Sequence, residues 1–396
     1  MRTIIILFTL FAIPIIFFSC SDSPIKSAAT YDKDLAESKK ITLPIDENMF
    51  YLSKRIFQYE ENNREYLFFG NFEKGTYEII LFDINQENVY KKIPLSKEGP
   101  NGVPAIAGCK PFDGSNKFIA FQNNLSRISI INGEGNVLKR YSTNPGDGRF
   151  IRCHDGSSYS SKPAFIKDSI LYFSSSVQKP NMKYYEWVNV PMFSSLDLRT
   201  GEINQPQINY PPIFEKDVKN LAGGDEFGYN YNYEEDFLVC SFYGYDSLMV
   251  VNKMRDVRWY DGKSRYLKSI RPKLAEAGNL IQTVTGFREN PLYTHVLYDK
   301  YRNVYYRFVE LPYELQDDES PFEEPKGREF SVIVFDRNFQ IIGETKFPGG
   351  KYFYKMSFVG RDGLYISENN LANPEFDEDK LVFACFKLED IKGKDE

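Results

Sequence analysis

The sequence has only two histidines, His154 and His295, among 396 residues. Zinc and haem are usually held by histidine or cysteine side chains, so few ligand sets are available for either group. Basic residues are not in excess, since 49 Lys and Arg stand against 55 Asp and Glu and the net charge is −6. Nucleic-acid-binding proteins normally carry a basic surface, and this charge balance argues against that class.

The motifs of several common enzyme classes are also missing. No H-E-x-x-H, P-loop, G-x-S-x-G or G-x-G-x-x-G motif occurs, so metalloprotease, nucleotide-binding and hydrolase-elbow functions have no support. Paired carboxylates for glycoside chemistry remain open, because spacing along the chain does not fix acidic side chains in space. The sequence therefore favours a non-enzymatic protein over an enzyme.

Cysteine is sparse, with five residues and no C-x-x-C pair. Cys109, Cys153, Cys240 and Cys385 are widely spaced, and three of them lie in or beside apolar runs. Four cysteines allow three disulfide connectivities, and the sequence does not choose among them. Buried free thiols are the favoured interpretation, because an unpaired cysteine behaves as a small apolar side chain.

The N-terminus contains the longest apolar run. Arg2 precedes the apolar segment Ile4–Phe18, which at about 1.5 Å per residue is short for a bilayer core of about 30 Å and is typical of a signal sequence. Ser19 and Cys20 end this run and resemble the processing site of bacterial lipoproteins. The resemblance implies that residues 1–19 are removed and that Cys20 carries acyl chains, such as palmitate. An ordinary secretion signal with an incidental cysteine is the alternative.

Aromatic residues are abundant, with 28 Tyr, 33 Phe and 2 Trp, and such residues favour half-buried strands. From Lys40 onward, short apolar strands alternate with turn signals. A unit of one apolar strand, a turn with Asp, Asn or Gly, and an amphipathic strand recurs at intervals of about 50 residues with insertions, close to the size of a propeller blade. Its markers are Asp83, Asn132, Asp197, Asn252 and Asp336.

These repeats predict an all-β fold, a β-propeller of six four-stranded blades. The last unit lacks an outer strand and Lys40–Ile45 has no unit of its own, so pairing the two closes the ring and removes exposed sheet edges. Seven blades or a pair of sandwiches are the alternatives. One helical insertion is predicted over Ser264–Gly278, with Pro272 as a kink. The predicted organisation is a signal peptide over 1–19, a lipidated cysteine with a flexible tether over 20–38, and one propeller domain over 39–396.

The lipoprotein signal, the aromatic strand repeats and the length together resemble a family of uncharacterised bacterial lipoproteins with a propeller-like domain of unknown function. The resemblance implies a location in the bacterial cell envelope, with the outer membrane favoured and the side of that membrane left open. It implies no chemical role for any residue beyond Cys20.

Long insertions fall on one face of the predicted propeller, over 142–163, 176–191, 209–226, 262–291, 311–327 and 369–378. Long loops on a rigid scaffold are commonly functional, so this face is the predicted binding surface. Arginines there could clamp a carboxylate or sulfate group, and aromatic rings could stack on a sugar or anchor a protein partner. The candidate ligand-binding residues are Arg149, Arg152, His154, Asp155, Tyr184, Tyr185 and Trp187. Ordinary loop charges and packed aromatic rings are the alternative interpretation.

An acidic loop is a candidate calcium site, although it lacks the alternating aspartates of known calcium loops and a solvated acidic loop is favoured. Its members are Glu314, Asp317, Asp318, Glu319, Glu323 and Glu324. No other cofactor and no nucleic-acid partner are expected. We predict a lipid-anchored binding or interaction module for a protein, peptide or glycan. The rival prediction is an envelope hydrolase or lyase that acts on glycans or esters in a central channel, with calcium as a cofactor.

Overall fold

Strands form most of the protein. The computed structural model describes residues 24–26, 28–72, 77–122, 126–144, 150–153, 159–178, 190–211, 226–268, 270 and 279–391. The first sheet contains β2 (Ile56–Glu61), β3 (Arg64–Asn71), β4 (Glu78–Asp83) and β5 (Asn88–Pro94). The second sheet contains β6 (Gly108–Asp113), β7 (Lys117–Gln122), β8 (Arg127–Asn132) and β9 (Val137–Ser142).

The later sheets differ more in strand number. The third sheet contains β10 (Phe150–Cys153), β11 (Phe165–Lys167), β12 (Ile170–Gln178), β13 (Phe193–Asp197) and β14 (Ile203–Asn204). The fourth contains β15 (Phe227–Asn232), β16 (Phe237–Phe242), β17 (Leu248–Asn252) and β18 (Asp256–Tyr260). The fifth has the order β19 (Leu292–Asp299), β20 (Val304–Glu310), β21 (Phe330–Phe335), β22 (Ile341–Phe347), β1 (Lys33–Pro44), β25 (Lys380–Asp390), β24 (Leu364–Ser367) and β23 (Phe353–Val359).

The protein is an all-β propeller, as the repeats predict. Apolar clusters fill the spaces between consecutive sheets, and one of them lies between two halves of the eight-stranded sheet, namely β19–β22 and β23–β25 with β1. A parallel contact between Lys33 of β1 and Gly343 of β22 joins these halves. The prediction of six separate blades is therefore corrected to five hydrogen-bonded sheets, because β1 lies between β22 and β25 and fuses two four-stranded units.

The N-terminal strand closes the ring, as predicted. β1 pairs antiparallel with β25 along its whole length and supplies the outer strand that the last unit lacks. Leu35, Ile41 and Leu43 of β1 are buried in the apolar clusters on either side. The strand begins at Lys33, before the predicted domain boundary at residue 39, and Ile25 forms a further bridge with Tyr260 of β18.

The recurring Asp and Asn markers close short turns after the third strand of a unit. Asp83 Oδ1 accepts hydrogen bonds from the backbone N–H groups of Asn85 and Gln86, both at 3.0 Å. The side chains of three other markers accept N–H groups of the following turn in the same way, namely Asn132, Asp197 and Asp336. A short Asx side chain satisfies these N–H groups locally, so the connections can stay short.

Connections alternate between two faces, because consecutive strands are antiparallel. One face, the turn face, carries tight hairpins such as Asn62–Asn63, where φ values of 52° and 63° fit a type I′ turn. The opposite face, the insertion face, carries the longer connections, including 45–55, 261–291 and 311–329. The inner strand that opens each unit starts at the insertion face.

The predicted helix over Ser264–Gly278 is contradicted at its start, and most of its range lies outside the described residues. Residues 264–268 form turns and coil, and α1, which spans Leu280–Glu289, begins later in the same connection. Asn279 caps α1, since its side chain accepts the N–H of Gln282 at 3.0 Å. The Ser264 hydroxyl accepts the N–H of Tyr266 at 3.1 Å and donates to Glu344 Oε1 at 2.5 Å, and turns and coil follow it. Residues 271–278 of the predicted helix lie outside the described residues.

Two further sequence expectations can be compared with the fold. Cys109, Cys153, Cys240 and Cys385 are buried free thiols, which confirms the favoured interpretation. No helix in the described ranges has the length and apolar character needed to cross a bilayer. The predicted signal peptide and Cys20 lie outside those ranges.

Candidate functional site

Most of the predicted ligand-binding residues lie outside the described part of the chain. They are Arg149, His154, Asp155, Tyr184, Tyr185 and Trp187. The backbone of Arg152 belongs to β10 and pairs with Ser176 of β12, while its side chain is outside the description. The candidate site must therefore be built from other residues of the insertion face.

Basic side chains gather where the inner strands start on the insertion face. Lys54 and Arg55 precede β2, Lys110 lies in β6, Lys162 precedes β11, and Lys355 lies in β23. Because inner strands surround the axis of a propeller, these five cations come from four positions around one opening. We call these cations and their charged neighbours the axial site.

Several of these cations reach from one unit to the next. Arg55 Nε donates to the carbonyl oxygen of Ala107, just before β6, at 2.9 Å. Lys110 donates to the carbonyl oxygen of Ala164, just before β11. Lys162 forms an ion pair with Glu226, just before β15. The basic residues thus stabilise the packing of neighbouring inner strands and also bring positive charge to the axis.

Lys110 is the least neutralised of them. Its ammonium nitrogen lies 5.4 Å from the centre of the Phe57 ring, and the described residues place no carboxylate within ion-pairing distance. Burial lowers the pKa of Lys110 to about 8. Lys110 is nevertheless partly exposed, so its ammonium group is surrounded by protein and still within reach of solvent.

Two carboxylates balance the cations on the side of the fifth sheet. Glu324, in the connection between β20 and β21, lies 3.5 Å from Lys54 and 3.3 Å from Arg288 of α1, and it also pairs with Lys355. Glu310, at the end of β20, lies 2.6 Å from Arg328 and 3.5 Å from Lys355. Four cations therefore share two carboxylates in this part of the axial site.

Glu310 and Glu324 differ in how firmly they are held. The Glu310 side chain is only 7% exposed and also accepts a hydrogen bond from the hydroxyl of Tyr354. The Glu324 side chain is 41% exposed and belongs to a long loop. Burial raises the pKa of each carboxyl, but Arg328 beside Glu310 and Lys355 beside Glu324 outweigh it and hold both pKa values below the usual range. Glu310 is thus part of the framework, whereas Glu324 is a more exposed carboxylate on a loop.

His295 is buried near Lys355 of the axial site and has a structural role. Its ring stacks on Phe308 with centroids 4.2 Å apart, and Nε2 is 3.1 Å from the hydroxyl of Ser357. Burial, and then the charge of Lys355, lower the pKa of His295 to about 3. The imidazole is therefore neutral near pH 7 and is a poor proton acceptor there.

The acidic loop does not bring its carboxylates together. Glu319 accepts hydrogen bonds from the hydroxyl of Tyr313 at 2.7 Å and the N–H of Gln316 at 3.1 Å, whereas Glu324 faces the cations. No group of three or more His, Cys, Asp or Glu side chains suited to a metal ion occurs among the residues that the structure describes. Calcium binding stays a prediction.

Among the described residues, the axial site combines seven cations with three carboxylates, although the whole chain has a net charge of −6. The cations are Lys54, Arg55, Lys110, Lys162, Arg288, Arg328 and Lys355, and the carboxylates are Glu226, Glu310 and Glu324. Sequence reasoning missed this set because its members are single residues in different units. The available signal was a recurrent Lys or Arg near the start of the inner strands.

Comparisons with known proteins find a family and solved structures that match most of the chain. A family model described as a domain of unknown function, DUF4221, matches residues 33–346. The crystal structure of a DUF4221 member from Bacteroides vulgatus is 51% identical, with a TM-score of 0.85, and the match covers 91% of this chain and 100% of that one. A Bacteroides fragilis protein that is thought to be exported is 10% identical, with a TM-score of 0.52, over 93% of this chain and 99% of that one. No curated protein matches the chain.

Proposed function

The chain belongs to the DUF4221 family, whose function is unknown, and from the geometry of its axial site we propose that it is a binding module for anionic ligands in the bacterial cell envelope. The single observation that carries this proposal is the excess of positive charge at the axis of an otherwise acidic protein. Guanidinium and ammonium groups bind carboxylate, sulfate and phosphate groups through charge-assisted hydrogen bonds. The ligand is therefore a glycan or peptide that presents such a group.

The position of the site supports the same function. The axial site lies at the insertion face, the face on which the sequence predicts the binding residues Arg149 and Trp187. Cations that line a recessed opening focus the field and attract anions from solution. In this proposal the framework of inner strands fixes the cations, and the insertions select the rest of the ligand.

The envelope location rests on the N-terminus. The apolar run before Cys20 has the form of a lipoprotein signal, and the acyl chains on Cys20 hold the module at a membrane. The Bacteroides fragilis protein of similar fold is thought to be exported, which agrees with this location.

Binding assays with defined polymers test the proposal. We expect the protein to bind polygalacturonate, a sulfated glycan or polyglutamate at low salt and not to bind neutral dextran. Lys110→Gln should weaken binding about tenfold, since it removes a charged donor. Lys139→Gln, on the outer strand β9, is the matched control and should leave affinity unchanged.

Two results would overturn the proposal. If none of the three anionic polymers binds, the axial charge does not serve ligand recognition. If Lys139→Gln weakens binding as much as Lys110→Gln, the interaction is a general charge effect and does not take place at the axial site.

A further inference from the structure

A second group of cations lies far from the axis, on the outer edge of the fourth sheet. We call it the edge patch, and it contains Lys253, Arg255, Arg258, Lys263 and Lys268, all exposed. Only two carboxylates, Asp256 and Asp261, belong to the same stretch of chain. This excess is a local feature of a protein whose net charge is −6.

The edge patch gathers five exposed cations along one outer strand and the connections at its two ends. No carboxylate of the described residues lies within ion-pairing distance of any of its five cations. Exposed lysines elsewhere do have partners, such as Lys39 with Asp362 at 2.6 Å and Lys346 with Glu329 at 2.7 Å. Unpaired surface cations keep their full attraction for an external polyanion.

The N-terminal segment docks at the same edge. The N–H of Ile25 donates to the carbonyl oxygen of Trp259 at 2.8 Å, and the N–H of Asp261 donates to that of Ile25 at 3.0 Å. Ile25 follows Cys20 by five residues, which reach at most about 17 Å when fully extended. An acyl chain on Cys20 therefore brings the bilayer close to β18. The next residue, Lys26, is exposed and adds a further cation there.

We propose that the edge patch is a membrane-docking surface that binds the phosphate groups of anionic phospholipids. The acyl chains supply the apolar part of the attachment, and the edge patch supplies an electrostatic part, since each Lys or Arg near an anionic bilayer contributes about 1 kcal/mol. The propeller then rests with the fourth sheet against the membrane, and the insertion face stays open at its side. This inference uses the lipid anchor of the proposed function but not its ligand.

The first test separates the edge patch from the acyl chains. The mature chain, residues 20–396 with Cys20→Ser, is floated with vesicles of phosphatidylglycerol and phosphatidylcholine in equal amounts, and with phosphatidylcholine alone. We expect binding only to the anionic vesicles, and its loss at about 1 M salt, where the Debye length is about 3 Å. Adding Arg255→Gln, Arg258→Gln and Lys263→Gln should reduce that binding at least about tenfold.

A matched control removes the same charge elsewhere. Lys91→Gln, Lys139→Gln and Arg140→Gln lie on the outer strands β5 and β9, and together they should leave vesicle binding unchanged. Equal losses in the two triple variants would overturn the inference, because net charge and not the edge patch would then govern binding. Absence of binding to the anionic vesicles would overturn it as well.

The second test reads the orientation of the acylated protein. The chain has two tryptophans, and Trp187→Phe leaves Trp259 of β18 as the only one. In anionic vesicles with nitroxide-labelled phospholipids, we expect Trp259 fluorescence to be quenched, and less so when the three edge-patch substitutions are added. An acylated protein that floats without this quenching would overturn the docking surface. A protein that mass spectrometry finds unacylated would overturn the anchor alone, and the Cys20→Ser experiment would still decide the edge patch.

Discussion

The carboxylate of Glu324 pairs with the ammonium group of Lys355, and it joins a loop of the insertion face to an inner strand of the propeller. The same carboxylate lies 3.5 Å from Lys54 and 3.3 Å from Arg288, so one exposed side chain satisfies three cations. A carboxylate in this position occupies the place that the charged group of a ligand would take. If the axial site binds an anionic ligand as proposed, Glu324 competes with that ligand for these cations.

Removing this competitor should strengthen ligand binding. Glu324→Gln keeps the shape of the side chain but frees Lys54, Arg288 and Lys355, so we expect the affinity for polygalacturonate to rise several-fold. Isothermal titration calorimetry at low salt measures the change. Glu323→Gln is the matched control, since it removes the same charge from the neighbouring, exposed position. Equal effects of the two substitutions, or weaker binding by Glu324→Gln, would contradict the competitor role.

Lys110 should lower the free energy of unfolding of the protein. Burial lowers the pKa of Lys110 to about 8 in the folded protein, whereas the pKa of an unfolded lysine is about 10.4. Between these values the unfolded state binds more protons, so the free energy of unfolding should rise with pH in this window. Lys110→Met removes the penalty, and we expect it to raise the free energy of unfolding near pH 7 by about 1 kcal/mol and to abolish the rise above pH 8.

Urea unfolding from pH 7 to pH 10 measures both effects. Lys355→Met is the comparison, because it leaves the buried Glu310 without one of its cations and should be destabilising. If Lys110→Met lowers the free energy of unfolding as much as Lys355→Met does, Lys110 stabilises the fold and its burial does not destabilise it.

The fold was predictable where the determinants are local. The apolar strands and the turn markers such as Asp83 indicate the repeats. The strand Lys40–Ile45, which belongs to no unit of its own, indicates that the ring closes by pairing with the last unit. The fusion of two four-stranded units into one sheet was not predictable from the sequence. It depends on the close approach of Lys33 and Gly343, which leaves no periodic signal. The start of the predicted helix, residues 264–268, forms turns and coil, and the Ser264 hydroxyl there donates to the distant Glu344.

The axial site was less predictable than the fold. Sequence reasoning placed the binding surface on the insertion face and chose one loop rich in arginine and another rich in aromatic residues. The cations of the axial site, such as Lys54 and Lys355, are 301 residues apart and meet only when the ring closes. Glu324 was read as part of an acidic loop, because its three cationic neighbours come from other parts of the chain. Such convergence is a property of the ring and is absent from any local window.

His295 should make the protein sensitive to acid. Its pKa is lowered to about 3 by burial and by Lys355, against about 6.5 for an unfolded histidine. Between these values the unfolded state takes up a proton that the folded state refuses, so stability should fall as pH falls from about 6.5 towards 3. His295→Gln retains a hydrogen-bonding group for Ser357 but does not titrate there, and its unfolding free energy should depend less on pH.

Urea unfolding at intervals between pH 7 and pH 4 compares the two slopes. Carboxylates titrate in the same range in both proteins, so the difference between the slopes reports His295 alone. Parallel curves would show that the folded protein accepts the proton without penalty.

Gly343 should be essential to the junction between β1 and β22. A Cβ atom at this position would overlap with the carbonyl oxygen of Lys33, so Gly343→Ala forces the two strands apart. Overpacking of this kind costs about 1–3 kcal/mol, and we expect a lower melting temperature together with faster proteolysis near residue 33. Gly327→Ala is the control, because its Cβ would meet the side chain of Tyr313 in ordinary contact, with the hydroxyl oxygen nearest at 3.4 Å. If Gly343→Ala melts like Gly327→Ala, the long pairing of β1 with β25 closes the ring without help from β22.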